Sequence, residues 1–144
     1  MNKKIVFLVF ALLFSVLILP GCRMITNTPQ LMPNSEISSI LLEYGEQSIE
    51  IDSPTIIQNM YEKYGQVTTN TRPGTVAEQT QNYGEIVLKV TTRTTKGSFS
   101  FRIVSRTFST NTLYYFEKTK TNGSIIMIAS ATLQDLNYFI GYIE

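Results

Sequence analysis

The chain contains no histidine, no tryptophan and a single cysteine, Cys22, among its 144 residues. Without histidine it lacks the side chain that most often serves as general base and as metal ligand near neutral pH. One cysteine can neither close an internal disulfide nor build a Cys-based zinc cluster. Neither sign of charge dominates: 12 Lys and Arg stand against 11 Asp and Glu. That balance gives no footing for nucleic acid, so no nucleic-acid partner is expected. A Gly-rich phosphate loop, a nucleophile elbow and a metal-ligand pair at helical spacing are all missing. These absences point to a chain that is not an enzyme and needs no metal or cofactor. Its length is that of one domain.

The longest apolar run is Ile5 to Leu19, interrupted by Ser15 alone. It is shorter than the roughly 20 residues of a bilayer-spanning helix and matches the apolar region of a signal peptide. Lys3 and Lys4 precede it, and Pro20-Gly21 ends it. The sequence Leu19-Pro20-Gly21-Cys22 resembles the bacterial lipobox, with Leu three residues before the Cys and a small residue directly before it. The resemblance implies that the Cys22 thiol receives a diacylglyceryl group and that a lipoprotein signal peptidase cuts between Gly21 and Cys22. Two acyl chains anchor a protein durably, at about 0.8 kcal/mol per buried CH₂. The mature chain is then expected on the outer face of the bacterial cytoplasmic membrane, anchored rather than spanning. The competing reading is an ordinary signal peptide, or an uncleaved anchor, with an incidental Cys. Residues 1–21 are read as the lipoprotein signal peptide, 22–35 as lipidated Cys and flexible tether, and 36–144 as a single folded domain. Pro29, Pro33 and the want of any hydrophobic period support the tether.

Within the domain, runs at 37–43 and 48–51 flank Gly45 and predict a hairpin. Ser53 is a candidate N-cap and Pro54 a first helical residue. Ile56, Ile57, Met60, Tyr61 and Tyr64 then make one apolar helical stripe, and Gly65 is a candidate C′ stop. The stretch 66–85 is polar and without pattern, and is read either as a recognition loop or as a passive one. Four strand runs follow, at 86–92, 98–104, 112–118 and 124–130, with Asn122-Gly123 a hairpin signal between the last two. Thr132 with Asp135 resembles a capping box, ahead of a stripe of Leu133, Leu136, Phe139, Ile140 and Ile143. The order ββαββββα predicts an α+β domain, with two helices on one face of a mostly antiparallel sheet.

Charge is uneven along the chain. Residues 24–85 carry two basic and eight acidic side chains, a net −6, whereas 86–120 carry seven basic and one acidic, a net +6. If Ile86, Leu88 and Val90 share a face with Phe99, Phe101 and Ile103, the turn between them, such as Lys96-Gly97, has an even number of residues. The opposite face then carries Lys89, Arg93, Arg102 and Arg106. These four are the candidate binding residues, for anionic lipid, a wall polymer or an acidic peptide. The competing reading is a solvated strand face whose charges neutralise the acidic half. Glu85, Glu117 and Asp135 are the carboxylates from which a glycosidase pair would have to be drawn. Glu43, Glu46, Glu50 and Asp52 are the group from which a Ca²⁺ site would be drawn. Tyr114-Tyr115-Phe116 is either a stacking platform or a set of buried strand aromatics.

From Ile37 onward the layout is similar to small Gram-positive lipoproteins carrying a domain of unknown function. The residues concerned are Ile51-Asp52 before the first helix, Thr71-Arg72-Pro73, and Asn82-Tyr83 before Ile86. That resemblance implies no activity and transfers no functional residues. The expected function is a non-catalytic binding module for a peptide, an envelope polymer or a membrane-protein partner. The alternatives are an immunity or exclusion lipoprotein against a bacteriocin or phage, a cell-wall-directed hydrolase, and an accessory subunit of an envelope complex.

Overall fold

Alternation of apolar and polar residues along the strands is what builds the sheet. The computed structural model describes residues 29–68, 84–120 and 125–144. In it, strand β1 is Ile37–Tyr44, β2 Gln47–Ile51, β3 Glu85–Thr94, β4 Gly97–Phe108, β5 Asn111–Thr119 and β6 Ile125–Ala131. Helix α1, Pro54–Tyr64, follows β2, and helix α2, Leu133–Ile140, follows β6. All six strands form one antiparallel sheet in the order β2-β1-β3-β4-β5-β6. The architecture is therefore α+β, as expected.

Register fixes which residues meet. Leu42 lies opposite Val90, Val90 opposite Phe101, and Leu88 opposite Ile103. Phe116 continues that row beside Ile103. These side chains are buried on one face, and both helices cover it. Helix α1 contributes Ile57, Met60 and Tyr64, while α2 contributes Leu136 and Phe139. Tyr64 stacks on Phe139 at 4.7 Å between ring centroids and meets Phe116 edge-on at 5.7 Å. Leu133, expected in the α2 stripe, is instead 54% exposed in the first helical turn.

The turns explain the register. Gly45 opens the two-residue β1–β2 turn at φ 59°, in the left-handed region that glycine enters without strain. The β3–β4 turn also has two residues, but they are Thr95-Lys96, because Thr94 pairs with Gly97. Strands β4 and β5 run past their expected ends to a tight turn at Ser109-Thr110. Asn122-Gly123 lies outside the described residues, as do 69–83 of the polar stretch and everything before Pro29.

Two expectations need correction. Gly65 closes α1 in right-handed helical geometry, at φ −59°, rather than as a left-handed stop. Glycine is needed there because a Cβ would lie 2.6 Å from the Tyr61 carbonyl oxygen and 2.7 Å from its ring. The second correction concerns the tether. Leu31 and Met32 are buried in the core, and the Leu31 N–H donates to the Val67 carbonyl at 3.1 Å. Apolar burial thus ties residues 30–35 into the domain, which begins before Glu36; residues 22–28 lie outside the described part.

Candidate functional site

The second face of the sheet, opposite the helices, carries the four predicted cations. Lys89 faces Arg102 across the β3–β4 pair, with Arg93 and Arg106 at the same parity along their strands. The structure thus places all four on one face, but it does not leave them as a bare basic patch. Lys89 Nζ lies 3.2 Å from Glu43 Oε2. Arg93 donates to Glu50 Oε1 at 2.6 Å, and the Ser39 hydroxyl donates to the same oxygen at 2.8 Å. Arg102 pairs with Glu117, which is fully buried. Arg106 sits over the Phe108 ring, 5.0 Å from its centroid.

Strand order is the cause. The acidic strands β1 and β2 lie beside basic β3, so the charge excess that separates along the sequence is paired in space. One row reads Glu43, Lys89, Arg102, Glu117 across four strands, two cations flanked by a carboxylate on each side. The Glu43–Lys89 pair is half-exposed, whereas the Arg102–Glu117 pair is buried. Burial of a cation and a carboxylate together is tolerable only because each supplies the other's counter-charge.

The carboxylates weighed for catalysis are not brought together. Glu117 is on the second face with Arg102, whereas Asp135 is on the helix side, capping α2 and accepting from the Tyr64 hydroxyl at 3.1 Å. Of the acidic group near β2, Glu43 and Glu50 each hold a cation. Among the described residues no group of three or more metal-ligating side chains is assembled. The Tyr114-Tyr115-Phe116 run is split by strand alternation: Phe116 is in the core, Tyr114 packs against it, and Tyr115 points to the second face opposite Val104.

Two clefts flank the near end of the sheet, where β1, β4 and β6 begin. One, of about 440 Å³, lies between residues 34–37 and α1, where the Tyr61 hydroxyl donates to Asn34 Oδ1 at 3.3 Å. The other, of about 570 Å³, lies at the ends of β4, β5 and β6 and is lined by Lys118, Lys120, Ser98, Ser100, Phe99 and Ile126, with Thr119 between the lysines. Lys118 points to the helix side and its ammonium donates to the Gln30 carbonyl. Burial pushes the Lys118 ammonium below its usual pKa. Sequence reasoning missed this cleft. The available signal was the Lys118-Thr119-Lys120 run at a strand end, without an acidic neighbour after Glu117.

Among the described residues no helix is long and apolar enough to cross a membrane. Comparison with protein-family models, with curated proteins and with solved structures found no match to the chain.

Proposed function

We propose that the chain is a membrane-anchored extracytoplasmic lipoprotein whose α+β domain is a non-catalytic binding module. The observation that carries the anchor is the coincidence of Lys3-Lys4, the apolar run, Leu19-Pro20-Gly21 and the sole cysteine at Cys22. The second face supports a particular kind of partner. Each exposed cation there already holds a carboxylate, at Lys89–Glu43 and Arg93–Glu50. A peptide or protein surface bearing both signs of charge complements such a ladder better than a polyanion does.

Two measurements test the proposal. The full chain is expressed in a bacterium and its intact mass determined. The expected mature product begins at Cys22 with a diacylglyceryl adduct and fractionates with membranes, while Cys22→Ser accumulates unprocessed. A mature chain that begins elsewhere, or carries no glyceride, removes the anchor. Crosslinking from intact cells through residues beside Lys89 and Arg93 then reads the partner. Capture that is unchanged when both are reversed to Glu removes the second face as the contact.

A further inference from the structure

Among the described residues, the lysines at the near-end cleft are not paired with acids, unlike Lys89 and Arg93. Lys120 is exposed, and so is Lys96 in the adjoining β3–β4 turn. Neither forms an ion pair with any described residue. Among the described residues the cleft lining contains no carboxylate. It offers Lys120, the Ser98 hydroxyl, and the apolar surface of Ile126 and of Phe99, which is 37% exposed, beside Lys118, already bound to the Gln30 carbonyl, and Ser100, whose hydroxyl meets that of Thr91 at 3.0 Å. Cations, hydroxyl donors and a shallow apolar rim are the groups that an anionic headgroup with its attached acyl chains would meet.

The path of the chain says where that headgroup comes from. The described residues begin at Pro29, and Gln30 is held at this same end of the sheet by Lys118. Eight peptide links separate Gln30 from Cys22. At no more than about 3.6 Å per residue, covalent geometry keeps Cys22 within about 30 Å of Gln30. Lys118 lies opposite Phe101, so Gln30 stands level with a point four residues from the start of β4 at Gly97 and eight from the turn at Ser109-Thr110. A lipid on Cys22 therefore has the shorter path to the Lys118–Lys120 end.

We propose that this end of the domain docks on the bilayer, with an anionic phospholipid headgroup seated in the cleft between Lys118, Lys120 and Ser98. The proposal rests on the anchored reading given above. The lipid phosphate meets Lys120 and Lys96 at the surface, and Phe99 and Ile126 contact the glycerol and upper acyl region. Lys118, clamped to Gln30, couples the departing chain to the occupied cleft. Docking by this end turns the β4–β5 turn outward and leaves Lys89, Arg102 and Arg106, farther along the second face, clear for a partner. Basic residues near an anionic surface act additively, and they do so only within a Debye length, so docking is salt-sensitive.

The test uses the full, lipidated chain in vesicles of phosphatidylglycerol and phosphatidylcholine. With Cys22 acylated, Thr95→Cys or Thr110→Cys supplies one free thiol for an environment-sensitive fluorophore. The expected result is a label at 95 shielded from an aqueous quencher and a label at 110 fully accessible. Lys96→Glu with Lys120→Glu is expected to lower the docked-to-undocked ratio about twentyfold, Lys96→Arg with Lys120→Arg to preserve it, and vesicles of phosphatidylcholine alone to abolish the difference. Equal accessibility at 95 and 110, or no effect of the reversals, overturns the proposal. So does displacement by inorganic phosphate, which would mark a site for soluble phosphate instead. The mass of the same sample separates the failures. With the glyceride present, lost docking removes the cleft alone; with the glyceride absent, the anchor falls and the cleft assignment with it.

Discussion

The Tyr64 hydroxyl donates to Asp135 Oδ1 at 3.1 Å, joining the end of α1 to the start of α2 across 71 residues of sequence. The other carboxylate oxygen of Asp135 accepts from both the backbone N–H and the hydroxyl of Thr132, each at 2.8 Å. In return the Asp135 N–H donates to Thr132 Oγ1 at 3.1 Å. One carboxylate therefore caps α2 and fastens it to α1. Helix α2 has eight residues, too few to persist without such a cap and a packed face.

Removing that carboxylate is expected to cost more than removing either partner. Thr132→Ala loses a cap, about 1 kcal/mol. Asp135→Ala loses the reciprocal cap bonds and leaves the buried Tyr64 hydroxyl without its acceptor, about 2–3 kcal/mol in total. Tyr64→Phe alone costs about 1 kcal/mol. Urea unfolding of both single variants and the double variant gives the coupling. An interaction energy above about 0.5 kcal/mol between Tyr64→Phe and Asp135→Ala is expected; strict additivity would mean that the two helices are not fastened at this point.

Alkaline pH provides a second test, because the tyrosines are shifted upward. Burial first, and then the nearby Asp135, hold the Tyr64 hydroxyl well above the ordinary tyrosine range. Tyr138 is pushed up to about 12, by burial first and then by its hydrogen bond with Tyr142. In the unfolded chain both ionise near 10. Between pH 10 and 12 the unfolded state thus binds fewer protons than the folded one. The stabilisation is fully present below pH 10 and is lost as the pH climbs through the folded pKa values. Denaturation midpoints are expected to fall steeply above pH 10. Tyr138→Phe and Tyr64→Phe should each flatten that fall, with near-UV absorbance following the ionisation directly.

The ladder on the second face should respond unevenly to charge removal. Lys89→Ala and Arg93→Ala break half-exposed pairs, where screening and side-chain entropy leave about 0–1 kcal/mol. Glu117 is fully buried and Arg102 largely so. Glu117→Gln strands the guanidinium without its counter-charge and is expected to cost about 3 kcal/mol or more. Thermal unfolding of the three variants checks the ranking. Comparable losses at Lys89 and Glu117 would mean that burial does not set the value of these pairs.

Much of this arrangement was legible in the sequence, for identifiable reasons. Period-two alternation in Leu88 and Val90 and in Phe99, Phe101 and Ile103 revealed both strands and their shared face, but Ile86, expected on that face, lies beyond a β-bulge, opposite Val104 and 45% exposed. Thr132 and Asp135 announced a cap because their spacing is set by helix geometry alone. Strand order was not legible, since adjacency of β1 to β3 is a long-range choice that no local window records. A count of charge along the chain therefore left two readings of the face at Lys89 and Arg93, a bare basic patch or one neutralised by the acidic half, and the fold supplies Glu43 and Glu50. The Lys118 cleft escaped notice for the same reason, because Ser98, Lys118 and Ile126 come from three strands. Leu31-Met32 between two prolines has no period to detect, so its packing was invisible before tertiary structure.

That hidden segment makes the last prediction. Met32 is fully buried and Leu31 1% exposed, both in the core with Met60 and Phe139. The chain reaches them from Gln30, whose carbonyl is held by Lys118 and whose backbone bridges to Thr68. Met32→Ala opens a cavity in that core and is expected to destabilise the full chain by about 3 kcal/mol. A tether with no role in the fold would show no measurable change. Limited proteolysis gives an independent reading. Cleavage is expected N-terminal to Gln30, with residues 31–36 protected until the domain unfolds, because burial and hydrogen bonding, rather than position in the sequence, govern where a protease can enter.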